Sequence, residues 1–206
     1  MHIAKIDMPA YYSRAFQSRG GASDFIRCVE DVPVEKSKAK IVLYQAARML
    51  WLGEQIETIA KARPAFQVLF QLIAAELVAK LAYDFKGDGQ SRKHVHLFFE
   101  EICSDGHRGV MTGLFRDPRG PAITLPGIVD LLYEIRCDVV HEGQYFTFTM
   151  PDERGGVPLV TIIGERHLIA RAPICDLHQV VLEGAILGAL RLLPEESPCR
   201  SLLKVA

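Results

Sequence analysis

Apolar residues recur at helical intervals in five stretches of the chain. From Glu35 to Arg63 the stripe is Ile41, Tyr44, Ala47, Leu52, Ile56 and Ile59, and Pro64 stops it. From Ala65 to Asp84 it is Phe66, Leu69, Phe70, Ile73, Leu77 and Leu81, with Glu76 and Lys80 spaced as a favourable i,i+4 ion pair. So short a connection makes these two long helices antiparallel neighbours. A third helix is predicted over Ser91 to Ser104, with Ser91 as its cap and Val95, Phe98, Phe99 and Ile102 facing inward. A fourth runs from Gly127 to Gly143 on Ile128, Leu131, Leu132, Ile135, Val139 and Val140, closed by Gly143. The last spans Ile174 to Leu193, before Pro194.

Between the fourth and last helices the period drops to two. Tyr145 to Thr149 and Val160 to Ile163 are rich in β-formers, and Asp152 to Gly156 carries turn chemistry between them. A β-hairpin is expected at about 144–170, with a third short strand at Arg166 to Ala170. Asp105 to Pro126 reads as one long loop, and Gly87 to Gly89 as a turn. At the N-terminus, Pro9 opens a short helix that Gly20-Gly21 ends, and Ser23 caps a second. The fold class is therefore mainly α: an up-and-down helical bundle with a small β-hairpin inserted before the last helix. Residues 1–34 pack on the bundle, 35–194 form it, and 195–206 are a loose tail.

Composition narrows the function. Of 206 residues, 49% are hydrophobic, which suits a folded domain. The formal net charge of −1 leaves no global basic excess, so any nucleic-acid site is local. Five scattered cysteines without a CxxC pair argue against a disulfide framework or a cysteine-built zinc site, and lead to an expectation of reduced thiols in a cytoplasmic protein. No signal peptide is read in the first residues, and charges interrupt the most apolar stretches, so no membrane association is expected. No P-loop, dinucleotide fingerprint or nucleophile elbow is present, and no cofactor is expected.

Three constellations carry chemistry. His94 and His96 lie about 200° apart on a helix, so they do not share a metal, and no metal site is expected. Arg108, Arg116 and Arg119 in the Asp105–Pro126 stretch read either as solvated loop residues or as a phosphate-gripping arm, because guanidinium forks match phosphate oxygens. Arg136, Asp138 and His141 crowd the end of the fourth helix. In bare spacing these are a solvated arginine and a histidine favoured by the helix dipole. They are also the groups needed to hold a phosphate and move a proton.

At LYEIRCDVVHEG the chain resembles HEPN domains (higher eukaryote and prokaryote nucleotide-binding), which carry an Arg-x4–6-His motif on the last long helix of a bundle. Arg136 and His141 match that motif, Asp138 falls within it, and Cys137 stands where the family often has asparagine or another polar residue. The resemblance implies a metal-independent endoribonuclease, acting as a toxin or defence component, with RNA as substrate and an antitoxin protein as a further partner. It also implies a homodimer through the 127–143 helix. Arg136 and His141 lie about 140° apart around a helix, so two copies across a two-fold axis make a better site than one. In that site His141 is the general acid or base, Arg136 neutralises phosphate charge, and Asp138 orients the ring. Two other classes stay open: a non-catalytic module binding RNA, nucleotide or protein, and a structural helical dimer; a buried Arg136 paired to an acid such as Glu76 or Asp138 would be a structural ion pair instead.

Overall fold

The structure is a computed structural model that describes residues 6–16, 18–32, 38–87 and 89–202. The bundle predicted from the pattern is present, with a small antiparallel sheet late in the chain. Its long helices are α3 (Lys38–Ile59), α4 (Pro64–Ala82), α7 (Leu125–Cys137) and α8 (Ile174–Arg191), preceded by α1 (Met8–Tyr12) and α2 (Arg19–Glu30). Two shorter helices, α5 (Ser91–Leu97) and α6 (Asp105–Thr112), lie between α4 and α7. The predicted start of α3 at Glu35 and part of the Gly87–Gly89 turn lie outside the described residues. Helix α4 is long and apolar enough to cross a membrane by length and composition, yet it is the central helix here, packed against α3, α7 and α8.

Which face of α3 is buried differs from the predicted stripe. Ala39, Val42, Leu43, Ala46, Ala47, Leu50 and Gly53 are inside, while Ile41 is 45% and Ile59 82% exposed. Small residues win the interface because they let the α3 and α4 backbones approach closely: a methyl added at Gly53 would lie 3.2 Å from Phe70 Cβ. Helix α4 likewise buries Ala65, Val68, Leu72, Ala74, Ala75, Val78 and Ala79, leaving Ile73 and Leu77 only half-buried. Helix α8 fits for the same reason, since a methyl at Gly184 would meet Phe98 Cζ at 2.4 Å.

At the N-terminus, α2 runs through Gly20-Gly21 instead of stopping there, because Ser18, not Ser23, caps it by accepting the Gly21 N–H at 3.1 Å. Helix α5 begins after Gln90 in a left-handed conformation (φ +58°), and Ser91 gives its hydroxyl to Glu76 rather than to a cap. Its inward residues Val95, Phe98, Phe99 and Ile102 are buried as the pattern requires, the last three in a π turn, Phe98–Ile102. The predicted long loop holds helix α6, built on a Ser104–His107 capping box and anchored by buried Met111, and then strand β1 (Phe115–Arg116).

The sheet runs β1-β3-β2, with β2 (Leu159–Ile163) and β3 (Arg166–Ala170) as the hairpin. Gly164 supplies the positive φ of its turn. Tyr145 to Thr149, the expected first strand, is irregular. It lies along β2, but Thr149 uses its own side chain for one of its bonds and the Thr161 hydroxyl for the other, so no regular ladder forms. Cys28 and Cys199 form a disulfide (Cα–Cα 5.8 Å) between α2 and a short 3₁₀ turn, Pro198–Leu202, correcting the expectation of reduced thiols throughout. That bond, with three Arg200 hydrogen bonds to backbone carbonyls, fastens the described part of the tail that the sequence reads as loose.

Candidate functional site

Helix α7 places the candidate residues. Thr124 caps it, Pro126 sits in its first turn, and Ile128, Val129, Leu131, Leu132 and Ile135 are buried. Its last α-helical turn carries Arg136. The next turn, Asp138–Glu142, is a π turn that Gly143 closes at φ +64°. The wider turn takes the following side chains off the packed face: Val140, expected inside, is 50% exposed, and His141 is exposed.

Arg136 points inward over α4, with its side chain 18% exposed. Its guanidinium lies 5.2 Å from the centre of the Tyr133 ring, and Nη1 donates to the Tyr133 hydroxyl at a long 3.4 Å. Nη2 is 3.7 Å from Glu76 Oε2, an ion pair without a hydrogen bond. Nε is buried with no partner among the described residues. Glu76 is better served: its Oε1 accepts from Lys80 and from Ser91, each at 2.7 Å. Burial pushes the Glu76 carboxyl up, but those hydrogen bonds and the Lys80 and Arg136 charges outweigh it and hold the group below the ordinary carboxylate range.

These residues stand at the mouth of a cleft of about 570 Å³ between α3, α4 and α7. Ile41, Ile73, Leu77, Leu81 and Phe85 form its apolar walls, and Arg136, Lys80, Glu76 and Gln45 its polar part. The two cations and one carboxylate leave one net positive charge there. Behind the wall His94 is 2% exposed, packed on Phe85 at 4.4 Å between centroids, with neither ring nitrogen bonded. Burial, then the Lys80 charge, lowers its pKa. His96 instead bridges Glu100 and Asp130, both at 2.7 Å. Among the described residues, no cluster of three His, Cys, Asp or Glu side chains converges as a metal site.

The other predicted groups are not gathered around Arg136. Asp138 is half-buried, and burial followed by the Glu142 charge raises its pKa; its side chain makes no hydrogen bond to His141. His141 has no side-chain hydrogen bond or ion pair with any described residue. Arg108 is a structural clamp: Nη1 donates to the Glu100 and Cys103 carbonyls at 2.6 and 2.8 Å, and Nη2 to Asp105. It satisfies carbonyls left open at the end of the α5 π turn, so it is not free to grip a phosphate. Arg116 and Arg119 are exposed.

Sequence reasoning passed over Tyr133, Gln45 and Ile41 in this site. Tyr133, one helical turn before Arg136, was within reach of pattern reading. The part played by Ile41 follows from the face α3 turns outward, and no local signal reveals that. No protein-family model, curated protein or solved structure matches this chain.

Proposed function

We propose that this chain is a HEPN-like binding module that takes a phosphate-bearing ligand, a nucleotide or a nucleotide unit of RNA, in the α3–α4–α7 cleft, and does so without cutting it. The observation that carries this reading is Arg136. A guanidinium has five N–H donors, and here one makes a long bond to Tyr133, another faces Glu76 beyond hydrogen-bond distance, and Nε has no partner. Glu76 is already satisfied by Lys80 and Ser91. An under-bonded arginine beside a lysine, at the edge of an apolar cleft, is matched to an anionic oxygen on an organic body.

Calorimetric titration with inorganic phosphate, adenosine monophosphate and a short single-stranded RNA tests this. Nucleotide and RNA bind the wild type, and Arg136→Gln weakens both roughly tenfold or more, the scale of a lost charged hydrogen bond. His141→Ala stays within about twofold, since surface changes away from the contact carry little free energy. A wild type that binds none of the three contradicts the proposal.

One observation favours a second reading, the metal-independent endoribonuclease. His141 is exposed and unencumbered on a π turn, the kind of irregularity that often marks functional sites. Cleavage would then need a second copy, with two α7 ends facing one phosphate across a two-fold axis. RNA cleaved in excess chelator, and left intact by His141→Ala, would establish that reading.

A further inference from the structure

Beyond the α7 end, the chain builds a column of three aromatic rings. Phe66, at the start of α4, lies 4.7 Å from Tyr145 between ring centres, and Tyr145 lies 4.0 Å from Phe146 at an interplanar angle of 35°. The Arg63 guanidinium sits 5.1 Å from the centre of the Phe146 ring. Phe146 is 61% exposed although it is stacked. A lone exposed phenylalanine needs no explanation. A ring packed at a tilt on Tyr145, which is itself packed on Phe66, and flanked by a guanidinium is a preorganised π surface.

We propose that this column is a stacking platform for an unpaired base of single-stranded RNA, a claim that rests on the nucleotide-binding reading above. Bases stack on aromatic faces and on guanidinium planes, and no sequence-specific hydrogen bonding is required. Arg63 is the cation placed over the Phe146 ring, and Lys61 is exposed two residues before it. Glu57 and Glu142 are hydrogen-bonded to neutral amides and keep their charges, so stacking and the Arg63 contact, not a net positive field, carry the platform's affinity. The placement relative to the cleft also fits. Arg136 lies against Glu76 and Tyr145 against Phe66, ten residues earlier on α4 and so ~15 Å along its axis. The segment joining the two points carries His141. One strand laid along α4 reaches the phosphate-gripping cleft at one end and the platform at the other, which makes single-stranded RNA, rather than a free nucleotide, the ligand that uses both.

Fluorescence anisotropy of a labelled adenosine octanucleotide, with the full chain at low salt, tests this. Phe146→Leu keeps the apolar surface but removes the π face, and Phe146→Trp keeps and enlarges it. The leucine variant binds RNA roughly tenfold more weakly, the tryptophan variant at least as tightly as wild type, and both bind adenosine monophosphate unchanged. If Phe146→Leu binds RNA like wild type while Arg136→Gln loses it, the platform is wrong and the cleft stands. If the wild type binds the mononucleotide but not RNA, the platform also fails. If it binds neither, the cleft reading has failed and the platform falls with it. If Phe146→Leu leaves RNA affinity intact but shifts sedimentation toward monomer, the column is a contact between copies and the proposal is overturned.

Discussion

Arg136 and His141 are five residues apart and live in opposite surroundings. Arg136 ends the packed part of α7, held over α4 between Tyr133 and Glu76. His141 rides on the π turn that follows, in solvent, with no described side chain bonded to it. The sequence spacing suggests one site, yet the change from α to π turn separates a packed end from an exposed end. Residue types at the right interval therefore specify a candidate pair, while the helix geometry between them decides whether they meet. In a single copy of this chain the arginine is built into a cleft and the histidine is not.

The strongest way to break this comparison is to attack the packed half. Leu132→Ala removes a fully buried side chain of α7 and is expected to cost about 2–5 kcal/mol of stability in chemical denaturation. Val140→Ala, half-exposed on the π turn, is expected to stay within about 0.5 kcal/mol. Equal costs would mean that the two turns are not differently packed. Next in size, Glu76→Ala leaves Arg136 and Lys80 without their carboxylate and should cost about 3 kcal/mol. Arg136→Met leaves Glu76 bonded to Lys80 and Ser91 and should cost about 1 kcal/mol or less. The reverse order would show that Arg136, not Lys80, neutralises the carboxylate.

The smallest effect is a pH dependence where α5 meets α7, at His96. Burial lowers the His96 pKa, but hydrogen bonds to Glu100 and Asp130 outweigh it, and the folded value lies above the ordinary one. The stability this contributes is fully present below the ordinary histidine range and is lost as pH rises through the folded pKa. With solvent screening around these partly exposed partners, the expected size is about 1 kcal/mol or less. Thermal melts of the wild type between pH 6 and 9 should show this loss, and His96→Gln should flatten it.

Much of the scaffold was legible because long helices announce themselves by period. The four long helices, the inward residues of α5 and the π turn after it, and the Gly143 stop all follow from the apolar pattern. The buried face of α3 does not, because small side chains chosen for close helix approach displace larger aliphatics toward the rim, and periodicity weights the larger ones. Helix α6 was hidden by two glycines and is maintained by a capping box and one buried methionine. The strand expected at Tyr145–Thr149 has the right composition but spends hydrogen bonds on threonine hydroxyls. No local pattern could pair Cys28 with Cys199, which are 171 residues apart. Of the candidate site, Arg136 and the Glu76–Lys80 pair were legible. Glu76 could be named as an acid for Arg136, but the long spacing of that pair, and the clamp made by Arg108, depend on how separate helices dock.

In the proposed function Arg136 holds a phosphate and His141 takes no part in chemistry. Short RNA incubated with the full chain in excess chelator, followed by both intact-strand binding and release of 2′,3′-cyclic phosphate ends, tests it directly with Arg136→Gln and His141→Ala alongside. Uncut RNA is expected, bound by wild type and His141→Ala alike and about tenfold more weakly by Arg136→Gln. Cyclic phosphate ends that form with the wild type and vanish with His141→Ala would contradict it.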